Sequence, residues 1–329
     1  MIARGVDKLP ASVDELLGSL LAARLEAVDL SSRKVLAGKM PGERRSKRRG
    51  RSVEFDDYRD YAPGDDLRHI DWNVYARFER LVLKLFREEE DLSLHVVLDV
   101  SASMRAGTPN KMVWAARLAV ALAYIGLLKQ NRVSVGVFGA SGGGATTVGG
   151  LRSLSPGRGR TMTQRFGSFF LDAVRQANAE VGQSGDGDFP GAMRQLTGLH
   201  KARGIIIVIS DFLGDDLDAG LSYLGAAAMT GATDVYCLRV LSPGEIDPKE
   251  EFGGGLAGDL RLTDVESGRA SEVTVSPASV AAYRAAFEED EERLRSSCVS
   301  RGIALLRMST GTAVEDVLLE SLRRGGLLK

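Results

Sequence analysis

Five consecutive aliphatic residues, Ile205-Ile206-Ile207-Val208-Ile209, run between Gly204 and the pair Ser210-Asp211. A strand made of them has no polar face to turn toward water. It therefore belongs at the centre of a parallel sheet, covered by helices on both sides. A second run, Leu94-His95-Val96-Val97-Leu98, is nearly as apolar and also ends at a carboxylate, Asp99. Around these two strands the chain alternates in type. After strand 93–99 come a helix at about 110–130, a strand at 132–139, the turn Ser141-Gly142-Gly143-Gly144, an extended run near 146–154, a helix at 163–181 and another after Pro190. After strand 204–211 come a helix at about 215–229, a strand at 233–241, a hairpin at 259–275, a helix at 277–300, a strand at 302–307 and a last helix at 313–323. Such alternation predicts an α/β fold with a doubly wound, mostly parallel sheet of Rossmann-like type.

Charge and composition narrow the partners. The chain of 329 residues is 44% hydrophobic and 26% charged, ordinary for a soluble globular protein. Its 43 Lys and Arg nearly balance 44 Asp and Glu, so no whole-molecule field draws it to nucleic acid or to an acidic membrane. A local exception is Gly42-Glu43-Arg44-Arg45-Ser46-Lys47-Arg48-Arg49-Gly50-Arg51, with six basic residues in ten. That run suits a phosphate or an acidic partner, or is a solvated loop. No aromatics interleave it, so nucleic-acid stacking is not expected. The two cysteines, Cys237 and Cys298, have neither metal-ligand spacing nor a disulfide pattern, which points to a reducing compartment. Residues 1–10 lack the apolar stretch of a secretory signal. The apolar run 114–128 is 15 residues long and contains Arg117, short for a membrane span and suited to a buried helix. The expectation is a cytoplasmic protein without a membrane span.

Before the α/β region, residues 11–40 place Val13, Leu16, Leu17, Leu20, Leu21 and Leu25 at three- and four-residue steps. This predicts one amphipathic helix laid against the main body. Residues 53–72 interleave aromatics with carboxylates and arginines around Pro63-Gly64. Arg59 and Arg68 are placed to clamp Asp65, Asp66 or Asp71 in a polar network, and 81–90 continues as a strand or short helix. The expected division is 1–40, an N-terminal helix; 41–91, an added polar and β segment packing on the main domain; and 92–329, the α/β domain, with a hairpin insertion at about 242–276.

The chemistry concentrates where strands end. Asp99 is followed by Ser101 and Ser103, two hydroxyls at two-residue spacing on a tight turn. Ligands of open α/β sheets gather beyond the carboxyl ends of the strands, at a switch in strand order. If the strands ending at Asp99 and Asp211 are neighbours, two carboxylates and two hydroxyls share one crevice. These are hard oxygen donors, suited to Mg²⁺ or Mn²⁺. The plainer alternative is that Ser103 caps the next helix and the carboxylates satisfy turn amides.

Asp99-Val100-Ser101-Ala102-Ser103-Met104 resembles the DxSxS motif of von Willebrand factor A-like domains, whose metal-ion-dependent adhesion site holds Mg²⁺. Residues 53–77, with Tyr61-Ala62-Pro63-Gly64-Asp65-Asp66 and Ile70-Asp71-Trp72-Asn73-Val74-Tyr75-Ala76-Arg77, closely resemble the bacterial domain of unknown function 58 family. That family couples such a segment to a von Willebrand A-like domain. The resemblance runs from about residue 40 to the C-terminus. It implies a metal held by Asp99, Ser101 and Ser103, with Asp211 reaching it through water. It also implies a Thr-Asp pair in a Gly-rich loop. Here that loop reads Ser184-Gly185-Asp186-Gly187-Asp188-Phe189, with Gly187 where the Thr hydroxyl is expected and Asp188 in the following place. Asp186 or Asp188 is left to supply the oxygen, Thr161 being a poorer substitute. The resemblance further implies a non-enzymatic, chaperone-like adaptor acting with a MoxR-type AAA+ ATPase on a client protein. The metal would be completed by a partner's carboxylate.

Enzymatic readings have less behind them. A dehalogenase-type phosphatase wants a second Asp two residues after Asp99, where Ser101 stands. Gly139-Ala140-Ser141-Gly142-Gly143 fits G-x-S-x-G in form, but opens a glycine loop between extended runs rather than leading into a helix. No P-loop is present, so ATP hydrolysis would belong to a partner. A metal-free scaffold is one alternative to the adhesion site, and a hydrolase built on Asp66, His69 and Asp71 is another.

Overall fold

The computed structural model describes residues 9–32, 53–88, 92–139, 150–179, 188–200, 203–214, 216–248, 258–263 and 270–329. The basic run at 43–51, the turn at 141–144 and the loop at 184–187 lie outside the described residues. Contacts divide the chain into two units: Met1–Lys39 with Leu92–Lys329, and Met40–Asp91.

The N-terminal periodicity produces two helices instead of one, α1 (Val13–Leu17) and α2 (Ser19–Leu25). Gly18, at φ 65°, ends the first and begins the second. The break turns Leu20 out to 70% exposure, while Val13, Leu16, Leu17, Leu21 and Leu25 remain buried. Beyond them the chain is tied to its other end, where Leu30 bridges Leu328 and Ser31 N–H donates to the Leu327 carbonyl at 2.8 Å.

The smaller unit is an antiparallel pair with a helix between its strands: β1 (Val53–Asp60), α3 (Trp72–Phe78) and β2 (Val82–Glu88). Arg59 clamps Asp65 at 2.6 Å, as its sequence suggests. Arg68 enters the network differently, donating its main-chain N–H to Asp66 at 3.0 Å. Asp71 caps α3 through the amides of Asn73 and Val74 and also receives Lys84 at 3.0 Å. Lys84 does most to hold the Asp71 carboxyl below its ordinary range. Asp66 likewise caps the turn Leu67–His69, so both acids of the Asp66, His69 and Asp71 set serve as local caps.

In the larger unit, β3 (Ser93–Asp99) leads through the turn Ser103–Arg105 into α4 (Lys111–Leu128), then β4 (Arg132–Phe138) and the short β5 (Arg152–Ser153). Next come α5 (Met162–Ala179), α6 (Phe189–Leu199), β6 (Gly204–Ser210), α7 (Leu217–Met229), β7 (Thr233–Leu241) and α8 (Pro243–Ile246). A separate antiparallel pair, β8 (Gly258–Thr263) and β9 (Ala270–Val275), precedes α9 (Pro277–Ser300) and β10 (Ala304–Ser309). The last expected helix is broken into Val314–Asp316, a π turn at Val317–Ser321, and Leu322–Arg324.

The six-stranded sheet has the order β10-β7-β6-β3-β4-β5, parallel except for β5. The chain runs from β3 outward to β4, then returns to the other side of β3 for β6. The order therefore reverses at β3. The aliphatic run of β6 serves two cores: Ile205, Ile207 and Ile209 face one, and Ile206 and Val208 the other. That is why it shows no polar alternation. The first core also takes α1, α2, α4 and α5, and the second takes α6, α7, Leu294 and Cys298 of α9. Both cysteines are free and buried. Helix α4 is long and apolar enough to cross a membrane, yet 83% of it is buried inside this core. A helix apolar on all sides needs such a position.

Candidate functional site

β3 and β6 are neighbours in parallel register, Leu98 opposite Ile209. Asp99 thus stands beside Ser210, and Asp211 lies one residue beyond. Asp99 Oδ1 accepts the Ser101 N–H at 2.8 Å, and Oδ2 accepts the Ser210 hydroxyl at 2.5 Å. The turn after β3 sets the Ser101 and Ser103 Oγ atoms 3.0 Å apart, and Ser103 Oγ donates to Asp211 Oδ1 at 3.3 Å. Four of the five expected metal-site residues, Asp99, Ser101, Ser103 and Asp211, therefore meet at the carboxyl edge of the sheet.

The plainer alternative is realised only in part. Asp99 and Asp211 each take a turn amide, from Ser101 and Leu213, but Ser103 is not the cap of α4, because the Asn110 side chain caps it through the Val113 N–H at 3.1 Å. The fifth expected residue, Asp188, is the N-cap of α6, its Oδ1 accepting the Gly191 N–H at 2.7 Å. It lies at the same edge of the sheet, since the neighbouring Phe189 packs between Phe138 and Phe212.

A third charged group joins the cluster. Lys111, in the first turn of α4, is fully buried and places Nζ 2.8 Å from Asp211 Oδ2 and 2.5 Å from Glu245 Oε1. Burial alone would depress the ammonium, but Asp211 and Glu245 outweigh it and hold the pKa above its ordinary value. Glu245 is fixed in turn by the Ser242 N–H at 2.7 Å and the Ser242 hydroxyl at 3.0 Å. The Asp211 backbone carbonyl is braced by Arg239 Nε at 3.2 Å, and Arg239 continues to Asp290 of α9 at 2.6 Å.

Among the described residues no cation pairs with Asp99. Burial first, and the Asp211 charge second, push its carboxyl up to about 7 against the pull of the Ser210 and Ser101 hydrogen bonds. A carboxylate under that strain is one that an added cation would relieve. Two hydroxyls and two carboxylate groups fit a hard divalent ion in kind. Among the described residues no three His, Cys, Asp or Glu side chains converge on one point. A cation here would therefore depend on hydroxyls and water, with Asp211 shared with Lys111.

The chain matches the family described as Protein of unknown function DUF58 over residues 57–297. It belongs to that family. The match takes in most of the smaller unit and the sheet from β3 to α9, so the whole Asp99–Asp211 cluster of this DUF58 protein lies within it. Uncharacterized proteins from Mycobacterium bovis and Mycobacterium tuberculosis are 29% identical over 316 residues, covering 93% of this chain and 91% of theirs. Among solved structures, the pilus adhesin SpaC from Lactobacillus rhamnosus GG superposes at a TM-score of 0.41 and 13% identity. That likeness covers 74% of this chain and 32% of SpaC, and is too loose to carry an argument.

Several members of the cluster are absent from the motif-based reading. Ser210 precedes an obvious strand-end Asp, and Lys111 is a lone charge opening an apolar helix. Ser210 is a visible signal, whereas the Lys111 charge reads from sequence as a solvated helix end. Glu245 is legible only as part of a capping box, Ser242-Pro243-Gly244-Glu245. Gly139, at φ 88°, closes over the site: a Cβ there would lie 2.7 Å from Ser101 N and 2.8 Å from Asp99 Oδ1.

Proposed function

We propose that this DUF58 protein is a non-enzymatic interaction protein with a von Willebrand A-like, metal-ion-dependent adhesion site. Ser101 and Ser103 would hold Mg²⁺ or Mn²⁺ directly, with Asp99 and Asp211 compensating its charge. A position left open would receive a carboxylate from the partner. The observation that carries this reading is the meeting of the Asp99–Ser101–Ser103 turn with Asp211 at the switch in strand order. Asp188, whose Oδ1 caps α6, would add negative charge from the same edge of the sheet. By family resemblance the partner is a MoxR-type AAA+ ATPase acting on a client protein in the cytoplasm.

An exposed aromatic face in the smaller unit supports the interaction class. Trp72, Tyr75 and Phe78 recur every three residues on α3, 59%, 42% and 68% exposed. Rings presented this way favour a protein interface over an inert surface.

Calorimetric titration with Mg²⁺ and Mn²⁺, beside Asp99→Ala, tests the site. The expected outcome is saturable binding that the substitution abolishes, together with capture of the purified ATPase that EDTA reverses. Absence of heat and of any thermal shift up to millimolar metal would sink the adhesion-site reading. Lys111 favours one second reading, a metal-free scaffold in which the ammonium is the only cation Asp211 ever meets. In that case Asp99→Ala leaves partner capture unchanged.

A further inference from the structure

We propose that Lys111 is a resident cation that competes with the divalent ion for Asp211, so that metal enters as the ammonium transfers its load to Glu245. This rests on the adhesion-site reading and concerns how that site is regulated. Lys111 and Asp211 are both wholly buried, so water cannot screen the ammonium from a second cation at the same carboxylate. Both Asp211 oxygens are already engaged: Oδ2 by Lys111, Oδ1 by the Ser103 hydroxyl and the Leu213 N–H. The hydroxyl can rotate its proton away when a metal takes its lone pair. The ammonium has no lone pair to offer a metal, so sharing Asp211 sets two cations against each other across one buried carboxylate, and a shift toward Glu245 relieves that repulsion.

Glu245 is where it would withdraw to. Its Oε1 already lies 2.5 Å from Nζ, while its Oε2 is pinned by the Ser242 main chain and side chain. Its side chain is 22% exposed, so its charge costs less to maintain than that of the buried Asp211. The surroundings of Glu245 are anchored as well. The Tyr283 hydroxyl donates to the Glu245 carbonyl at 2.7 Å, and Arg284 grips both Asp247 oxygens at 2.8 and 2.6 Å. The acceptor thus stays in place when Asp211 is claimed by metal.

Two substitutions are expected to move metal affinity in opposite directions. Lys111→Gln removes the competing charge while keeping a hydrogen-bond donor, and should tighten Mn²⁺ binding by at least about tenfold. Glu245→Gln weakens the alternative berth and should loosen Mn²⁺ binding by a similar factor, about tenfold. Affinity is read from the electron paramagnetic resonance signal of free Mn²⁺, with circular dichroism to show that each variant is folded. Glu245 is partly exposed and its variant tests the idea even if Lys111→Gln fails to fold. Saturable wild-type binding with either folded variant unchanged, or shifted the other way, overturns the competition. No binding by wild type and both folded variants instead overturns the underlying adhesion site, and the competition with it.

Discussion

Asp99 sits at a cost to the fold. Its carboxyl is pushed up to about 7 chiefly by burial, with the Asp211 charge adding to it, so the ionised side chain opposes folding at neutral pH. Asp99→Asn in EDTA is therefore expected to raise stability, on the order of 1–3 kcal/mol, while ending Mn²⁺ uptake. Urea unfolding beside a metal titration checks both halves. Gly139 limits the same site from the other side. With φ at 88° and no space for a Cβ beside Asp99 Oδ1, Gly139→Ala should cost about 1–3 kcal/mol and weaken metal binding. Thermal unfolding and calorimetry read the two effects. Asp99, Ser101, Ser103 and Asp211 were legible as a pattern. Lys111 was not, because a lysine in the first turn of a helix reads as a solvated end until its depth is known.

Elements were legible where a period of hydrophobicity persisted. Helix α4 lies at Lys111–Leu128, close to the expected 110–130, because Arg117 alone interrupts its apolar run from Met112 to Leu128. It is packed closely enough that a Cβ on Gly126 would approach Leu94 and Val133 to 2.7 and 2.8 Å. Gly126→Ala should thus destabilise by about 1–3 kcal/mol through overpacking, against the usual helix gain from alanine. Denaturant unfolding measures it, with the midpoint falling and the slope unchanged. Elements were misjudged where a local backbone event overrode the pattern. Gly18 splits the N-terminal helix at a left-handed φ, and a π turn interrupts the last one. The helix α3 inside an apparently irregular polar segment was also missed, since its apolar residues face outward.

At the scale of the whole molecule, acid sensitivity should come from the opposite edge of the sheet. His95 near the start of β3 and His200 after α6 meet edge to face at 4.8 Å, with His95 Nδ1 2.6 Å from the Ser134 hydroxyl. Burial, then the His200 and Arg132 charges, depress His95 to about 3, and burial lowers His200 as well. Their neutral forms are the folded forms. The stability they permit is complete above the unfolded value of about 6.5 and is lost as pH falls from there toward about 3. The loss for His95 is expected to run at about 1.4 kcal/mol per pH unit, reaching roughly 3 kcal/mol by pH 4. Asp99, its carboxyl raised to about 7, gains stability as pH falls over the same range, so the His95 loss is read in chemical denaturation at stepped pH as the difference between wild type and His95→Asn.

Side-chain period marks the parallel strands of the main sheet, shows two of them to be buried on both faces, and brings each of those two to an end at a carboxylate. Those facts follow from side-chain period and from the cost of placing polar groups in a core, which are local properties. The adjacency of β3 and β6 comes from the folded arrangement, because strand order depends on which way each crossover packs back on the sheet. Ser103 and Asp211 are 108 residues apart in the chain, and Lys111 and Glu245 are 134 apart. No local pattern records such pairs. The buried ammonium between two carboxylates exists because the fold brings three separate segments to one edge of one sheet.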